Sequence, residues 1–444
     1  MWRRGNTGSP PSVRSCDNRL CASVFWLRSP AQGASKASRA WYGRCLDGAT
    51  MPTAKPLTLR FQNQPIAGDP TGELNSHDRW RIGGFQVSLL RGLSPGRSRL
   101  ERELRHAGYE LPLPHRVSWA ESQRRPADHW LLFVQDTAGR PCGAVGVHVS
   151  RSRALPGHRL LRVERFGPGI QAAAYAATLQ ALIALARRDP RVLRVYVESF
   201  AFDPNLRTAL ESVLASAGFT RLPSPRCYEQ TLVLALDKDE ESILAGFHRS
   251  ARQNIRNTSK QPLRLAPIVD PAHFDRLDEI AAETFARTGG RYVPVYDWAR
   301  IAAVGIREPD TSRLVGVFHT EKEGPASLMA FAWGCGHGDH VHYSFPGSTR
   351  NTDRRIPLLY PLLWDLIVWA KRSGARVFDF GGVTAGSLTS GDPLGGISDF
   401  KRNFTSTQLQ VGAEWSYEPR PGRAHAARMM KSAATKLSRM LTRA

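Results

Sequence analysis

Paired cysteines and long apolar runs are scarce in this sequence of 444 residues. Its six cysteines include no Cys-x-x-Cys pair, and such scattered cysteines are typical of free thiols in a reducing cytoplasm. No segment reaches the ~18–20 apolar residues of a membrane-spanning helix. The nearest candidates, 172–186 and 358–370, are too short or are interrupted by Pro361 and Asp365. Both are predicted to be core helices.

Acidic residues are nearly absent from both ends of the chain. The net charge is +22 and the isoelectric point is near 10.4, but residues 1–60 carry +8 and residues 419–444 carry +7, which leaves +7 for the 358 residues between them. A strongly basic protein invites a nucleic-acid or anionic-membrane partner. Because the excess lies mainly at the ends, charge alone does not establish such a partner.

The length of the chain favours two domains, because one hydrophobic core rarely organises so many residues. We predict a disordered leader, with Met51 as an alternative start, followed by two similar units joined by a basic linker helix. A basic amphipathic tail ends the chain. The predicted ranges, in order, are 1–70, 71–236, 237–264, 265–420 and 421–444.

Hydrophobic periodicity predicts a similar order of elements in the two units. The first unit has a strand pair, a helix, a strand, a helix and a last strand, at 131–134, 143–150, 171–188, 193–198, 205–217 and 228–236. The second has a helix, three strands, a helix, a strand and a late strand, at 271–288, 313–319, 327–333, 339–345, 357–373, 375–380 and 408–417.

Two stretches support an internal repeat. Both "IALARRDPRVLRVYVES" (183–199) and "VWAKRSGARVFDFGG" (368–382) join an apolar helix end, a basic pair, a break at Pro or Gly and a valine-rich strand. The predicted fold class is α/β (α+β), with mixed, twisted sheets covered by helices. This order is similar to that of the GNAT-type (acyl-CoA N-acyltransferase-like) domain, which the chain would contain twice.

Basic residues form a stripe in the predicted linker. Acidic residues precede it, at a helix start where they favour the helix dipole. The stripe consists of Arg249, Arg252, Arg256 and Lys260. Spacings of three and four place these residues on one helix face, where like charges repel one another. A solvated face is one interpretation; the other, which we favour, is a site for a phosphate-bearing substrate.

Three stretches give the chain a resemblance to the Fem-type transferases, which build peptidoglycan cross-bridges from aminoacyl-tRNA. They are "FHRSARQNIRNTSK", "PLLYPLLWDLIVWAKRSGARVFDFGGV" and "SDFKRNFTSTQLQVGAEWSY". Family members have a similar R-x-x-I-R, then D-F-G-G, then F-K-x-x-F, and the resemblance covers roughly residues 75–420. It implies a cytoplasmic enzyme without a bound cofactor, aminoacyl-tRNA as donor co-substrate and a nucleotide- or lipid-linked cell-wall precursor as acceptor.

The sequence departs from the family pattern at several points. Thr405 replaces the glycine that often follows F-K-x-x-F, and 237–313 shows no heptads for a coiled-coil arm. The acyl-CoA fingerprint (Q/R)-x-x-G-x-(G/A) is also missing, because the corresponding loop, 350–357, has no glycine to cradle a pyrophosphate. A rival hypothesis is an acyl-CoA- or acyl-carrier-protein-dependent transferase acting on an amino sugar or exopolysaccharide precursor. A third is a non-catalytic scaffold that binds RNA or membrane.

The resemblance implies that Lys401, the lysine of F-K-x-x-F, lies at the transfer site. There we expect its ammonium, between Phe400 and Phe404, to stabilise the oxyanion that forms during acyl transfer. Asp379, at a strand end, is expected to orient the acceptor amine or accept its proton, and loop 386–396 to close over it. Each residue also has a purely structural interpretation. Lys401 would be a surface lysine whose aliphatic part covers aromatic side chains, and Asp379 would accept hydrogen bonds from main-chain amides of the following turn.

Further candidates lie on the strand that precedes Lys401 in the second unit. Tyr343 and Ser344 lie where a GNAT sheet separates to admit its donor, although a tyrosine there also suits the core. Arg350 and Phe400 are further candidate substrate contacts.

The run "CGHGDHVH" (335–342) resembles a metal cluster, but it also suits a hairpin turn and has no second ligand pair, so no metal is predicted.

The tail, 423–443, combines methionine and leucine with basic residues at helical spacing. Such a helix is suited to peripheral contact with an anionic membrane at its inner face, or to packing on the domain. The sequence leaves both open, as it does the oligomeric state.

Overall fold

The computed structural model describes residues 78–93, 95–122, 128–152, 154–287, 296–350, 356–392 and 394–441. The predicted leader, residues 1–70, lies outside the described residues. The predicted α/β fold class is confirmed: the described residues form two mixed sheets covered by helices.

Fifteen strands of the described part form the two sheets. The first has the order β1-β2-β3-β4-β5-β6-β15-β7, and the second has the order β14-β8-β13-β12-β11-β10-β9. The strands are β1 (Arg79–Ile82), β2 (Phe85–Arg91), β3 (His129–Asp136), β4 (Pro141–Arg151), β5 (Arg159–Phe166), β6 (Val192–Phe200), β7 (Thr220–Arg221), β8 (Gln230–Ala235), β9 (Leu263–Pro267), β10 (Ser312–His319), β11 (Leu328–Gly336), β12 (His340–Ser348), β13 (Val377–Gly382), β14 (Gln408–Gln410) and β15 (Gly412–Tyr417).

Helices cover both sheets. They are α1 (Pro95–His106), α2 (Val117–Glu121), α3 (Tyr175–Arg188), α4 (Pro204–Ser216), α5 (Glu240–Ala245), α6 (Arg249–Thr258), α7 (Phe274–Arg287), α8 (Trp298–Arg307), α9 (Leu359–Arg372), α10 (Gly395–Arg402) and α11 (Pro421–Leu441). Apolar side chains of α3 and α4 pack on the first sheet. Those of α6 and α9 pack on one face of the second sheet, and those of α7 and α8 pack on the other.

The two sheets exchange their late strands. The sequence places 228–236 in the first unit and 408–417, as one strand, in the second. In the structure β8 pairs with β13 of the second sheet, whereas β15 pairs with β6 of the first. The chain crosses between sheets at Val411, whose N–H donates to Glu229 while its carbonyl accepts from Ala201. The domain boundaries stay a prediction, but the sheets do not divide at the linker.

The predicted linker helix is two helices, and the single-helix interpretation is wrong. Asp239 caps α5, which ends at Gly246, and the His248 side chain accepts from the Ser250 amide at the start of α6. A capping side chain satisfies amides that lack a partner within the helix. The break leaves Arg249 in the first turn of α6 and Lys260 beyond its end.

Candidate active site

Strands β12 and β13 separate at the centre of the second sheet. Their parallel pairing covers His340 to His342, the last pair being His342 with Asp379. Beyond that point β12 continues to Ser348 and remains paired with β11 only. Tyr343 and Ser344 are the first residues past the separation, which is where the sequence predicts them.

The Asp379 carboxylate is buried and fully hydrogen bonded. Oδ1 accepts from Thr231 Oγ at 2.5 Å and from the Gly381 amide at 2.8 Å, and Oδ2 accepts from the Tyr228 hydroxyl at 2.7 Å. Burial alone would raise the pKa of Asp379, but the positive charge of Arg165 and the Thr231 hydrogen bond hold it below its ordinary value. A carboxylate with a lowered pKa, whose oxygens already accept three hydrogen bonds, is a weak proton acceptor. These contacts favour the turn-acceptor alternative for Asp379 over the role of base.

Lys401 lies in α10 with only 6% of its surface exposed. Its Nζ donates to the Gly382 carbonyl at 2.7 Å, next to the separating strands. Burial lowers the pKa of Lys401 to about 8, although the negative charge of Asp379 opposes this shift. The ammonium is therefore desolvated but still largely protonated at neutral pH, as electrostatic stabilisation of an oxyanion requires.

The two phenylalanines do not enclose Lys401. Phe400 and Phe404 contact each other with ring centroids 5.5 Å apart, and both pack on Tyr360. Phe404 lies beyond the end of α10. The ammonium is not held between the two rings as expected, because its Nζ instead contacts the Gly382 carbonyl.

The remaining predicted contacts on β12 differ in burial. Tyr343 packs in the apolar core beside α9, and its hydroxyl has no hydrogen-bond partner among the described residues. Ser344 is half-buried, and burial raises the pKa of the Cys335 thiol on the neighbouring strand β11 to about 12. Arg350 is exposed, and 351–355 of its loop lie outside the described residues.

The histidines of "CGHGDHVH" belong to a hydrogen-bonded, largely buried network. His340 Nδ1 contacts Asp339 at 3.0 Å and its Nε2 contacts Arg165 at 3.0 Å. Burial and Arg165 lower the pKa of His342 to about 3, so this imidazole is neutral. Within the described residues, no group of three or more potential ligands could hold a metal ion.

Arg165 and Tyr228 are site residues that sequence reasoning missed. Both precede the linker, yet their side chains reach Asp379 of the second sheet. Only the tertiary structure brings them there. The one available indication was the cluster of charged residues in "RLLRVERF" (159–166), which is unusual for a buried strand.

The basic stripe divides into two kinds of residue. Arg249, Arg256 and Lys260 are exposed, and their side chains have no hydrogen bond or ion pair with another described residue. Arg252 instead donates to the Ala245 and Phe247 carbonyls at 2.9 and 2.6 Å. Those carbonyls lie at the end of α5, so Arg252 caps that helix.

The glycine-rich segment before α10 is anchored by its own side chains. Ser387 caps a short 3-10 turn at Leu388–Ser390, and the Leu388 amide donates to Asp399 of α10. Arg402 holds the Thr384 and Gly386 carbonyls at 2.7 and 3.0 Å. Closure of this segment over a substrate stays a prediction.

Comparison with known proteins agrees with this geometry. Residues 245–402, which include β12, β13 and Lys401, match the family model described as an acetyltransferase (GNAT) domain. No curated protein matches the chain. A crystal structure of FemX covers 74% of this chain and 97% of its own, at 14% identity and a TM-score of 0.57.

Two other solved structures align over similar lengths. L-PGS from Bacillus licheniformis covers 77% of this chain and 98% of its own, at 12% identity and a TM-score of 0.45. A tandem GNAT protein from the clavulanic acid biosynthesis pathway covers 76% and 98%, at 13% identity and a TM-score of 0.46. Residues 245–402 therefore match an acetyltransferase (GNAT) domain, and the chain shares the fold of FemX.

Proposed function

We propose that this protein is an N-acyltransferase that transfers an aminoacyl group to an amine of a cell-wall precursor or a related glycoconjugate. The observation that supports this most directly is the buried Lys401 ammonium, held 2.7 Å from the Gly382 carbonyl where β12 and β13 separate. At that place the positive charge is held by a main-chain carbonyl and is buried away from bulk water.

The chemistry at this site is an acyl exchange. The acceptor amine attacks the donor carbonyl, a C–N bond forms, and the bond to the ribose oxygen or the thiol sulfur breaks. The amine proton passes to the leaving group or to water. The Lys401 ammonium stabilises the negative oxygen of the tetrahedral intermediate, a contribution that depends on its burial. Asp379 orients the turn that carries Gly382 and does not take the proton.

The donor that fits the surface best is aminoacyl-tRNA. Exposed Arg249, Arg256 and Lys260 form a patch of one sign beside the second unit, and such a patch favours a polyphosphate chain. The second candidate is acyl-CoA or an acyl-carrier protein, favoured by the family model for residues 245–402.

Donor identity can be tested with the purified full chain and an amine-bearing, nucleotide-linked muramyl peptide. One reaction receives tRNA charged with radiolabelled amino acids, and another receives acetyl-CoA with a thiol reagent. Transfer that RNase abolishes supports the proposal, whereas RNase-resistant transfer with thiol release supports the second candidate. RNA binding without transfer from either donor would indicate a non-catalytic scaffold. Mass spectrometry of muropeptides from cells with and without the gene would identify the acceptor.

We also propose that the protein acts beside an anionic membrane. None of the described helices has the length and apolar content to cross a bilayer. Near the start of α11, Ala424 and Ala427 are buried against Leu193, whereas Met429 and Met430 are 59% and 50% exposed. Residues 419–444 carry seven basic residues and no acidic one, a composition suited to anionic lipid.

Vesicle sedimentation tests this location. The full chain should bind vesicles that contain phosphatidylglycerol more strongly than neutral phosphatidylcholine vesicles. The double change Met429→Gln and Met430→Gln should reduce that binding without altering acyl transfer to a soluble acceptor. Equal binding to both kinds of vesicle, or to neither, would contradict the proposal.

A further inference from the structure

Arg165 has an unusual backbone conformation. It is the one residue other than glycine with a positive φ, 46°, in the described part of the chain. It lies at the end of β5, where the pairing with β6 is irregular. Left-handed conformations are uncommon for residues with a Cβ, and they persist only where the surroundings hold them. The side chain of Arg165 therefore has contacts that outweigh the strain.

Those contacts join the first sheet to the second. Arg165 is 3% exposed. Its Nη1 lies 3.0 Å from His340 Nε2, and its Nη2 donates to the Tyr228 hydroxyl at 2.5 Å. The same Nη2 lies 3.7 Å from Asp379 Oδ2, and the guanidinium lies 4.2 Å from the centre of the Phe200 ring. A planar guanidinium with several fixed donors suits this many contacts.

A continuous series of contacts joins Arg165 to Lys401. Tyr228, held by Arg165, donates to Asp379. Asp379 accepts the Gly381 amide at 2.8 Å, and the carbonyl of the next residue, Gly382, accepts from Lys401 at 2.7 Å. Arg165 is therefore connected, through Tyr228 and Asp379, to the turn that holds the ammonium.

We propose that Arg165, from the first unit, is a positioning residue for the transfer site of the second unit. It fixes Tyr228 and Asp379, and through them the turn at Gly381 that presents a carbonyl to Lys401. It also offsets part of the Asp379 charge that Lys401 faces. The inference rests on the proposed function in one respect, the role of Lys401 in transfer.

The test is the pH-rate profile of Arg165→Met, measured with the full chain and the donor established for the wild type. Without Arg165, more of the Asp379 charge acts on Lys401, which then stays protonated to higher pH. We expect kcat to fall roughly 10–100-fold at pH 7, because a misplaced site loses orientation. We expect KM for the donor to stay within about twofold, and the loss of activity near pH 8 to move to higher pH.

Two further variants separate positioning from simple stability. Arg165→Lys keeps a positive charge and should leave the alkaline limb near its wild-type position, with kcat only partly restored. Tyr228→Phe removes one hydroxyl in the series and should give a smaller loss of kcat in a protein that still folds. Arg162→Met is the matched control: it is a buried arginine on the same strand, paired with Glu414 at 3.3 Å. It should lower the melting temperature without moving the alkaline limb.

The outcomes distinguish the inference from the function on which it rests. Suppose that Arg165→Met and Tyr228→Phe both have a lowered melting temperature, but that the pH above which turnover falls is unchanged in both. This result would overturn the positioning role alone. Wild-type turnover by Lys401→Met would overturn the proposed function as well. If Lys401→Met retains measurable but strongly reduced turnover, and adding Arg165→Met to it causes little further loss, the two residues act through one site, as proposed.

Discussion

Each unit contains one pair of parallel strands, and the two pairs end differently. In the first sheet, β5 follows β6 as far as Phe166 opposite Ser199. In the second, the pairing of β12 with β13 stops at His342, and β12 runs on without β13. The same arrangement therefore remains closed in one unit and opens in the other.

The segment after β5 accounts for the closed end. Ile170 forms a bridge to Gly143, and a Cβ on Gly143 would meet the Ile170 Cα at 2.4 Å. A Cβ on Gly167 would meet the Phe200 carbonyl oxygen at 2.5 Å. Backbone of this segment therefore occupies the space beyond the end of β5 in the first sheet.

The largest expected effect comes from removing the ammonium at the open pair. Lys401→Met keeps the apolar part of the side chain, and loss of such an electrostatic partner typically lowers turnover ~10²–10³-fold with little change in KM. Lys401→Arg should restore activity only in part. Steady-state kinetics on the folded variants check this. Lys371→Met is the matched control, since its Nζ also donates to a main-chain carbonyl, that of Leu236 at 3.0 Å; equal losses in both variants would contradict the assignment.

The protonation of Lys401 predicts the next effect. Its pKa is lowered to about 8, so turnover should fall about tenfold per pH unit above that value, as the ammonium is lost. Stability should behave differently. In the unfolded chain this lysine keeps its proton up to about pH 10.4. Between about pH 8 and 10.4 the unfolded state therefore binds more protons than the folded state, and the contribution of this group to the free energy of unfolding rises with pH. Circular dichroism measures the folded fraction over the same pH range. If that fraction falls in parallel with turnover, unfolding causes the loss of activity and the prediction is contradicted.

A smaller effect is expected at the closed pair. Gly167→Ala places a methyl group against the Phe200 carbonyl at a φ of 138°, and should lower the free energy of unfolding by about 2–4 kcal/mol. Gly157→Ala is the control, because its φ is also positive, 77°, but no atom lies within 4 Å of the added carbon; about 1 kcal/mol is expected there. Urea denaturation measures both. A raised KM for the donor with unchanged stability would instead place a substrate at the first unit.

The smallest effect is expected from the exposed basic residues of the linker, Arg249 and Arg256. Arg249→Ala with Arg256→Ala should weaken binding of the tRNA donor and reduce the slope of log K against log salt by roughly 1.4–1.8, if each residue contacts one phosphate. Fluorescence anisotropy at several salt concentrations measures this slope. Arg252→Ala should lower the free energy of unfolding and leave the salt slope unchanged, because the Arg252 guanidinium caps α5. An unchanged slope in the double variant would mean that the patch is only solvated.

Some of this structure could be predicted from local sequence. Periodic apolar residues in the sequence predicted helices α3 and α9 and strands β4 and β12, and the structure contains these elements. Strand β5 was missed, because Arg162, Glu164 and Arg165 are buried in it and break the apolar alternation. The single strand predicted at 408–417 was wrong, because no local pattern shows that its two halves join different sheets.

The sequence by itself determined the fold class, the repeat and the position of Lys401 after a glycine pair, since these depend on propensities and spacings within short segments. Only the tertiary structure showed which groups contact Asp379, Lys401 and Arg165. Strand exchange brings Thr231 and Tyr228 onto the Asp379 carboxylate, 148 and 151 residues away along the chain. Such contacts depend on which strands become neighbours, and that choice follows from burial of the whole core rather than from any one segment.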